Sequence, residues 1–270
     1  MHAGYRGRGY PQYYRGKWVV ELTTISALIL TYNEEDNIED CLKSLIWCNE
    51  IIVIDSYSDD QTVEIARKYT DKVYQRIFDD FASQRNYGLD KVSSEWVLVI
   101  DADERVTYEL KEEIQQVLLA PQAEAYKIPF RNYFLGKWIR YCGWYPDYHL
   151  RLFKKEKARF VNKVHEKVDI KGDINKLSAA IDHYTYKSIS QFIRKTDYYT
   201  TLAAKEMYLQ GKQFNIFNLI FNPVWRFIKM FIVKRGYKEG IYGFILSVLY
   251  FFYAFLKYAK LWDIKNNGGK

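Results

Sequence analysis

Apolar residues follow two rhythms along the first 120 positions, and the two rhythms alternate. Short, nearly unbroken apolar runs occupy Ile25–Leu30, Glu50–Ile54 and Val97–Ile100, too short and too β-branched for helices, so each predicts a buried strand. Between them the apolar positions take helical spacing. In Asp36–Ile46 they are Ile38, Cys41, Leu42, Leu45 and Ile46, and Thr62–Tyr69 and Ala82–Leu89 are of the same kind. Lys72–Tyr74 is a candidate for a further short strand. Strands alternating with helices imply an α/β fold, Rossmann-like, with a mainly parallel sheet, right-handed crossovers and flanking helices.

Beyond residue 105 the pattern changes. Thr107–Leu119 predicts a helix ended near Pro121, and Ala125–Phe130 a strand. An aromatic stretch follows from Tyr133 through Trp138, Trp144 and Tyr145 to Asp147. His149–Phe153 alternates as a strand does, and residues 189–209 predict an amphipathic helix. From residue 214 bulky apolar residues mix with basic ones, and Ile241–Leu256 is almost wholly apolar before Lys257 and Lys260. That run falls a little short of the roughly 18–20 residues of a spanning helix. Basic and aromatic neighbours suit a helix lying on an anionic membrane surface, with a span or a buried core helix as alternatives. The expected organisation is a flexible basic tail (1–22), an α/β domain (23–210) and a helical, basic and aromatic C-terminal segment (211–270) that associates with a membrane.

Composition narrows the partners. The chain has 270 residues, 49% of them hydrophobic, and a net charge of +7, which favours acidic partners such as nucleotides, anionic lipid or phosphorylated glycans. The Gly/Tyr/Arg-rich start is too short to carry an RNA-binding reading, and no nucleic-acid partner is expected. Cys41, Cys48 and Cys142 form no CxxC, which fits a reducing compartment, and the first twenty residues lack the apolar core of a signal peptide. The expected location is cytoplasmic, peripheral on the inner face of the cell membrane. There is no GxGxxG and no Walker A motif, so neither dinucleotide nor P-loop chemistry is indicated.

Each of the three principal strands ends in a polar cluster: Thr31–Glu35, Asp55–Thr62 and Asp101–Glu104. In a parallel sheet all three meet on the carboxyl edge, where open α/β sheets bind ligands. The chemistry suits a nucleotide. Asp55 can accept from the imide N–H of uracil, and Tyr32 offers a stacking face. Arg85 can reach a carbonyl or phosphate, and Asp101 the ribose hydroxyls. Asp103 can hold a pyrophosphate-bound cation, with hard oxygen ligands pointing to Mn²⁺ or Mg²⁺. The competing reading of Asp101-x-Asp103-Glu104 is a strand exit that caps the next helix.

Thr31-Tyr-Asn-Glu-Glu35, Asp55-Ser-x-Ser-Asp59-x-x-Thr62, Gln84-Arg-Asn86 and Asp101-x-Asp103 together resemble glycosyltransferase family 2, which has the GT-A fold. Trp144, His149-Leu-Arg151-Leu-Phe153 and Val164-His-Glu166 resemble, more narrowly, the bacterial lipopolysaccharide-core β-1,4-glucosyltransferases. The resemblance covers residues 24–200, with a weaker echo in the basic tail. It implies an inverting, metal-dependent hexosyltransferase. A UDP-sugar is the donor, glucose is the expected sugar, and the acceptor is a lipopolysaccharide-core or other lipid-linked glycan. It implies that Tyr32, Asp55 and Arg85 hold the uracil, that Asp101 takes the ribose, and that Thr31, Asn33, Glu34 and Arg151 complete the donor site. Asp103 takes the metal, with His183 as second ligand. Glu166 is the general base, with Asp147 as its rival. Trp138, Trp144 and Tyr145 either stack on an acceptor sugar or belong to the core.

Other readings stand beside this one. A polyprenyl-phosphate or protein glycosyltransferase would use the same donor chemistry. A nucleotidyltransferase also uses strand-end carboxylates, but would want glycines near the first strand, and Ser26–Glu35 has none. A non-catalytic glycan-binding module would have no reason to keep Asp55, Asp101 and Asp103 together. The sequence leaves the sugar, the linkage and the oligomeric state open.

Overall fold

In a computed structural model the described residues are 12–14, 17–19, 23–161 and 167–268. The chain divides into two compact units, Met1–Phe130 with Tyr148–Asp182, and Arg131–Asp147 with His183–Lys270. The aromatic stretch and the helix after residue 189 group with the C-terminal segment, because their apolar side chains share a core with it.

The first unit includes two short antiparallel strands, β1 (Gln12–Tyr14) and β2 (Lys17–Val19), within the stretch read as a flexible basic tail. The α/β part then runs β3 (Ile25–Thr31), α1 (Ile38–Lys43), β4 (Glu50–Asp55), α2 (Thr62–Ala66), β5 (Val73–Gln75), α3 (Phe81–Lys91), β6 (Trp96–Asp101), β7 (Glu104–Val106) and α4 (Tyr108–Leu119). There follow β8 (Ala125–Phe134), β9 (Lys137–Trp138), β10 (Asp147–Lys154), β11 (Ala158–Val161), β12 (Lys167–Ile170), β13 (Ile174–Lys176) and β14 (Ile181–Tyr186). The strand order is β5-β4-β3-β6-β10-β8-β14-β7, and β8 and β14 pass from the first unit to the second after Phe130 and Asp182. β5, β4, β3 and β6 are parallel, whereas β10 runs antiparallel to β6, so the sheet is mixed.

The central strands are buried on both faces, which is why they read as unbroken apolar runs rather than alternating ones. One core lies against α1 and α4 and includes Ile38, Leu42, Leu45, Leu110 and Ile114. The other lies against α3 and includes Leu28, Ile54, Leu89 and Phe153. Gly88 lets α3 come close: a Cβ there would collide with the Leu28 side chain and sit 3.1 Å from Ile54 Cγ1.

The second unit is built from a hairpin and three long helices. Tyr133 pairs with Trp138 and Phe134 with Lys137 across the turn Leu135–Gly136, both at positive φ (51° and 78°), as a tight primed turn requires. The helices are α5 (Ile189–Leu209), α6 (Ile216–Ile228) and α7 (Ile241–Asn267), with a π-helical turn (Lys229–Val233) and a 3₁₀ turn (Gly236–Glu239) between the last two. Phe134, Ile139, Trp144, Phe192, Met230 and Leu246 form their core. The C-terminal helix is longer than its apolar run suggests, because it continues through Lys257 and Lys260 to Asn267.

Candidate active site

The parallel register aligns the three strand ends. Thr31 stands opposite Asp55, and Leu30 opposite Asp101, so all three polar clusters leave the sheet on one edge. The first two clusters fasten to each other. The Asn33 N–H donates to Ser58 Oγ (2.9 Å), the Glu34 N–H to Thr62 Oγ1 (2.8 Å) and the Glu35 N–H to Asp60 (3.1 Å). In return the Asp59 N–H donates to Asn33 Oδ1 (3.0 Å) and the Gln61 N–H to Glu35 (3.1 Å). Asn33 reaches its place at φ 53°, which asparagine tolerates better than most residues. Tyr32 is left 57% exposed and Tyr57 54% exposed, two aromatic faces at the same edge. The Thr31 hydroxyl is buried without a hydrogen-bond partner among the described residues.

Asp55 is fully buried beneath this pair of loops. It accepts from the Ser58 N–H (2.9 Å), from Ser58 Oγ and from Gln75 Nε2 (3.1 Å). The carboxylate therefore shapes the loop before it meets any ligand. Ser58 entered the sequence reading only as part of the Asp55–Thr62 motif, without a role, and Gln75 was not singled out. The Asp55-Ser-x-Ser58 spacing of an Asx-type turn could have found the first, whereas Gln75 is placed only by the β4–β5 pairing.

At the exit of β6 two carboxylates and two guanidinium groups interlock. Arg85 Nη2 donates to Asp101 Oδ1 at 2.9 Å, and Arg151 Nη2 to Asp101 Oδ2 at 2.8 Å. Arg151 also pairs with Glu104, which takes the Asp101 N–H at 3.0 Å. Arg85 and Glu104 are buried and Arg151 is largely covered, whereas a third of the Asp101 side chain meets solvent. Burial pushes the Asp101 carboxyl up, but the facing charges of Arg151 and Arg85 outweigh it and hold the group well below the usual carboxylate range. Arg85 thus reaches Asp101 at the strand end. It is delivered by α3, whose Gln84 donates to Ser56 Oγ (3.0 Å) and whose Asn86 exchanges two hydrogen bonds with the Phe160 backbone (2.9 and 3.0 Å). Gln84-Arg85-Asn86 is therefore one structural device that ties three segments to the site.

Asp103 follows in the turn between β6 and β7 and is half-buried. The turn does not cap the next helix, since the cap of α4 is Thr107, whose hydroxyl accepts from the Leu110 N–H (3.2 Å). Asp103 thus stands at the strand edge by position, and its hard oxygens are of the kind that suits a small divalent cation. Asp101, engaged by two arginines, offers such an ion less.

In the second unit His183 Nδ1 lies 2.7 Å from Asn132 Oδ1. That bond puts the proton of the neutral ring on Nδ1 and its lone pair on Nε2, as metal-ligating histidines are commonly oriented. Trp138 lies between two arginines, with Arg140 4.3 Å and Arg131 5.7 Å from the ring centroid, and Tyr145 meets it edge-on at 5.3 Å. Trp144 is buried among Phe134, Tyr186 and Tyr250, so the open aromatic surface here is that of Trp138 and Tyr145. Asp147 is exposed at the start of β10. Glu166 lies outside the described residues.

The family model for glycosyl transferase family 2 matches residues 26–168, the stretch that carries the three strand ends. The chain belongs to this family. As a family 2 glycosyltransferase it is an enzyme with the GT-A fold, its mixed sheet flanked by helices and followed by C-terminal ones. This removes the nucleotidyltransferase and glycan-binding-module readings. The chain is 30% identical over 253 residues to the lipopolysaccharide core biosynthesis glycosyltransferase LpsC of Rhizobium meliloti, covering 88% of this chain and 92% of LpsC. It is 31% identical over 254 residues to an uncharacterized glycosyltransferase of Rickettsia typhi, covering 89% and 87%. Among solved structures it is similar to TarS 1–349 of S. aureus (TM-score 0.46, 16% identity, 91% and 92% of the two chains). A likeness to glucosyl-3-phosphoglycerate synthase of Mycobacterium tuberculosis with Mn²⁺ and UDP-glucose covers 40% and 44% (TM-score 0.36, 25% identity).

Proposed function

We propose that this family 2 enzyme transfers a hexose from a UDP-sugar, with inversion at the anomeric carbon, to a lipopolysaccharide-core or other lipid-linked glycan. The observation that carries the reading is the register that brings Thr31, Asp55 and Asp101 to one sheet edge. The likeness to LpsC, which is named for lipopolysaccharide core biosynthesis, supports the acceptor class.

Asp55, held rigid by Ser58 and Gln75, faces the uracil N–H, and Tyr32 stacks on the ring. Thr31, Asn33 and Glu34 frame the same pocket. Arg85 joins Tyr32 and Asp55 at the uracil, and Asp101 takes the ribose hydroxyls with Arg85 and Arg151 fixing its orientation. Asp103 is the residue assigned to Mn²⁺ or Mg²⁺, and His183 keeps the second-ligand role that the resemblance implies. A bound divalent ion supplies the positive charge that the departing diphosphate needs. A carboxylate removes the proton of the attacking acceptor hydroxyl as the new glycosidic bond forms and UDP leaves. Glu166 is the first candidate and Asp147 the second. Trp138 and Tyr145 offer faces for the acceptor sugar.

The test is a thermal-shift screen of nucleoside diphosphates and UDP-sugars, with and without Mn²⁺. A donor at about one hundred times its dissociation constant adds about 2.7 kcal/mol of stability. Stabilisation by UDP and UDP-hexoses is expected, and preference for another nucleotide would move the reading to another donor.

A further inference from the structure

Two helices of the second unit leave apolar faces uncovered. Lys265 reaches Gln213, just before α6, Arg226 lies 5.1 Å over the Tyr250 ring, and Phe227 meets Phe244 at 6.1 Å. Partner numbers fall along α7 as they rise along α6, so the two form an antiparallel hairpin. Only 11% of Ile216–Val233 and 17% of the most apolar stretch of α7 is buried, far less than for a helix in a protein core. On α6 Phe217, Phe221 and Trp225 recur every four residues and are each more than half exposed. On α7 Ile241, Phe244 and Val248 begin a second exposed row at helical spacing. Apolar surface of this extent calls for an occupant.

The charge around it says which. From residue 212 to 265 nine lysines and arginines stand against two acids, Glu239 and Asp263, and Glu239 is buried against Lys137 at 2.9 Å. Lys229, Lys234, Arg235 and Lys238 crowd the connection between the helices, all of them exposed. Farther along, burial and the charges of Arg226 and Lys212 hold the Lys257 ammonium below its ordinary value, the mark of cations gathered together. An apolar face rimmed by cations matches an anionic lipid surface.

Both stretches, at 18 and 27 residues, are long enough to cross a bilayer. Two ties oppose crossing. Glu239, in the connection, accepts the N–H groups of Arg140 (2.8 Å) and Tyr141 (3.0 Å), so this end of the hairpin is fixed to the loop after β9, which carries the exposed Arg140. At the far end Lys260 donates to Asp197 and Thr201 of α5, each at 2.7 Å. Insertion of α7 across a membrane would carry α5 along, with Arg194, Lys195, Asp197, Lys205 and Glu206, and charges at membrane depth are costly.

We propose that α6 and the exposed face of α7 lie in the plane of a leaflet rich in anionic phospholipid, with the basic connection among the headgroups, so that the enzyme is held on the surface without crossing it. The inference names the surface on which a lipid-linked acceptor would be met, but it stands on residues outside the donor site. The test is co-sedimentation of the full chain with phosphatidylcholine vesicles with and without phosphatidylglycerol. Sedimentation only with the anionic vesicles is expected, with release by high salt or by alkaline carbonate. F221S/W225S and K229E/K238E change exposed side chains and should each weaken vesicle binding about tenfold or more. Stabilisation by UDP, read in the same preparations, should be unaltered. A protein that ignores anionic vesicles, that dimerises through this face instead, or that resists carbonate would overturn the proposal. So would variants that bind as the parent does. A failed donor reading would appear separately, as loss of UDP stabilisation with vesicle binding intact.

Discussion

Arg151 and Asp101 meet at 2.8 Å at the exit of β6, and the same guanidinium pairs with Glu104, whose side chain is only 1% exposed. Removing the cation would take a paired counter-charge from a buried carboxylate. Arg151→Met is expected to destabilise the fold by about 3–5 kcal/mol, the usual cost of breaking a buried pair on one side. Urea unfolding measures it. A change within about 0.5 kcal/mol, the range of an ordinary surface substitution, would mean that Glu104 finds another partner.

Asp55 has two duties, shaping the loop and meeting the uracil, and they can be separated. Asp55→Ala should weaken UDP binding by roughly 1–3 kcal/mol, the cost of an unpaired buried partner. Ser58→Ala keeps the acid and loses only loop hydrogen bonds, so it should lower stability with a smaller effect on affinity. Isothermal titration with UDP compares them. Equal affinities for both variants and the parent would place the base elsewhere.

Asp103→Ala should abolish transfer with the fold intact, because the leaving diphosphate loses the counter-charge held there. EDTA should do the same to the parent, reversibly on adding Mn²⁺. His183→Ala should raise the Mn²⁺ concentration needed for half-maximal activity. Activity that persists in both Asp103→Ala and EDTA would remove the metal from the mechanism.

Stability at low pH has an identifiable source in Glu50. Burial raises its carboxyl, but Lys72, Ser26 and Ser93 more than compensate and bring it down to about 2. A folded value below the unfolded one means that its contribution is complete above the unfolded pKa of about 4.3 and is lost as pH falls towards 2. Asp101 acts in the same direction. Glu50→Gln should therefore flatten the acid limb of a plot of Tm against pH between about 4.3 and 2. An unchanged limb would assign acid sensitivity to other groups.

The sheet was legible in the sequence because β3, β4 and β6 are buried on both faces and leave no ambiguity of period. Their strand-end clusters were legible for the same reason, since parallel strands share a carboxyl edge. The partners of those clusters were harder to see. Arg85 read as a nucleotide contact, and its ion pair with Asp101 could not be read beside it, because the approach of α3 depends on Gly88 packing against Leu28 and Ile54. Glu104 read as part of an acidic motif, and its burial beside Arg151 depends on β10 pairing with β6, a contact of long sequence separation. Trp144 and Trp138 look alike in sequence, and only tertiary packing buries the first. The C-terminal boundary was blurred because Ile241–Leu256 can be core, span or surface helix on composition alone. The ties of Glu239 to the Arg140 and Tyr141 N–H groups and of Lys260 to α5 appear only in the folded chain.

The general base divides two residues that the sequence ranked. Glu166→Gln keeps shape and removes basicity, so it should bind UDP-sugar as the parent does and lose kcat by roughly 10²–10⁴-fold. Asp147→Asn should do less. Steady-state kinetics with a heptose-bearing acceptor compares the pair. A dead Asp147→Asn beside an active Glu166→Gln would reverse the roles.

The central claim is the transfer itself. The full chain, Mn²⁺, a panel of UDP-hexoses and a lipopolysaccharide-core acceptor can be incubated together, with the product resolved by mass spectrometry and its anomeric configuration by NMR. One added hexose, stoichiometric UDP and a linkage inverted relative to the donor are predicted. Acceptor that gains no mass with any UDP-hexose, or a product that keeps the donor's configuration, would contradict the account.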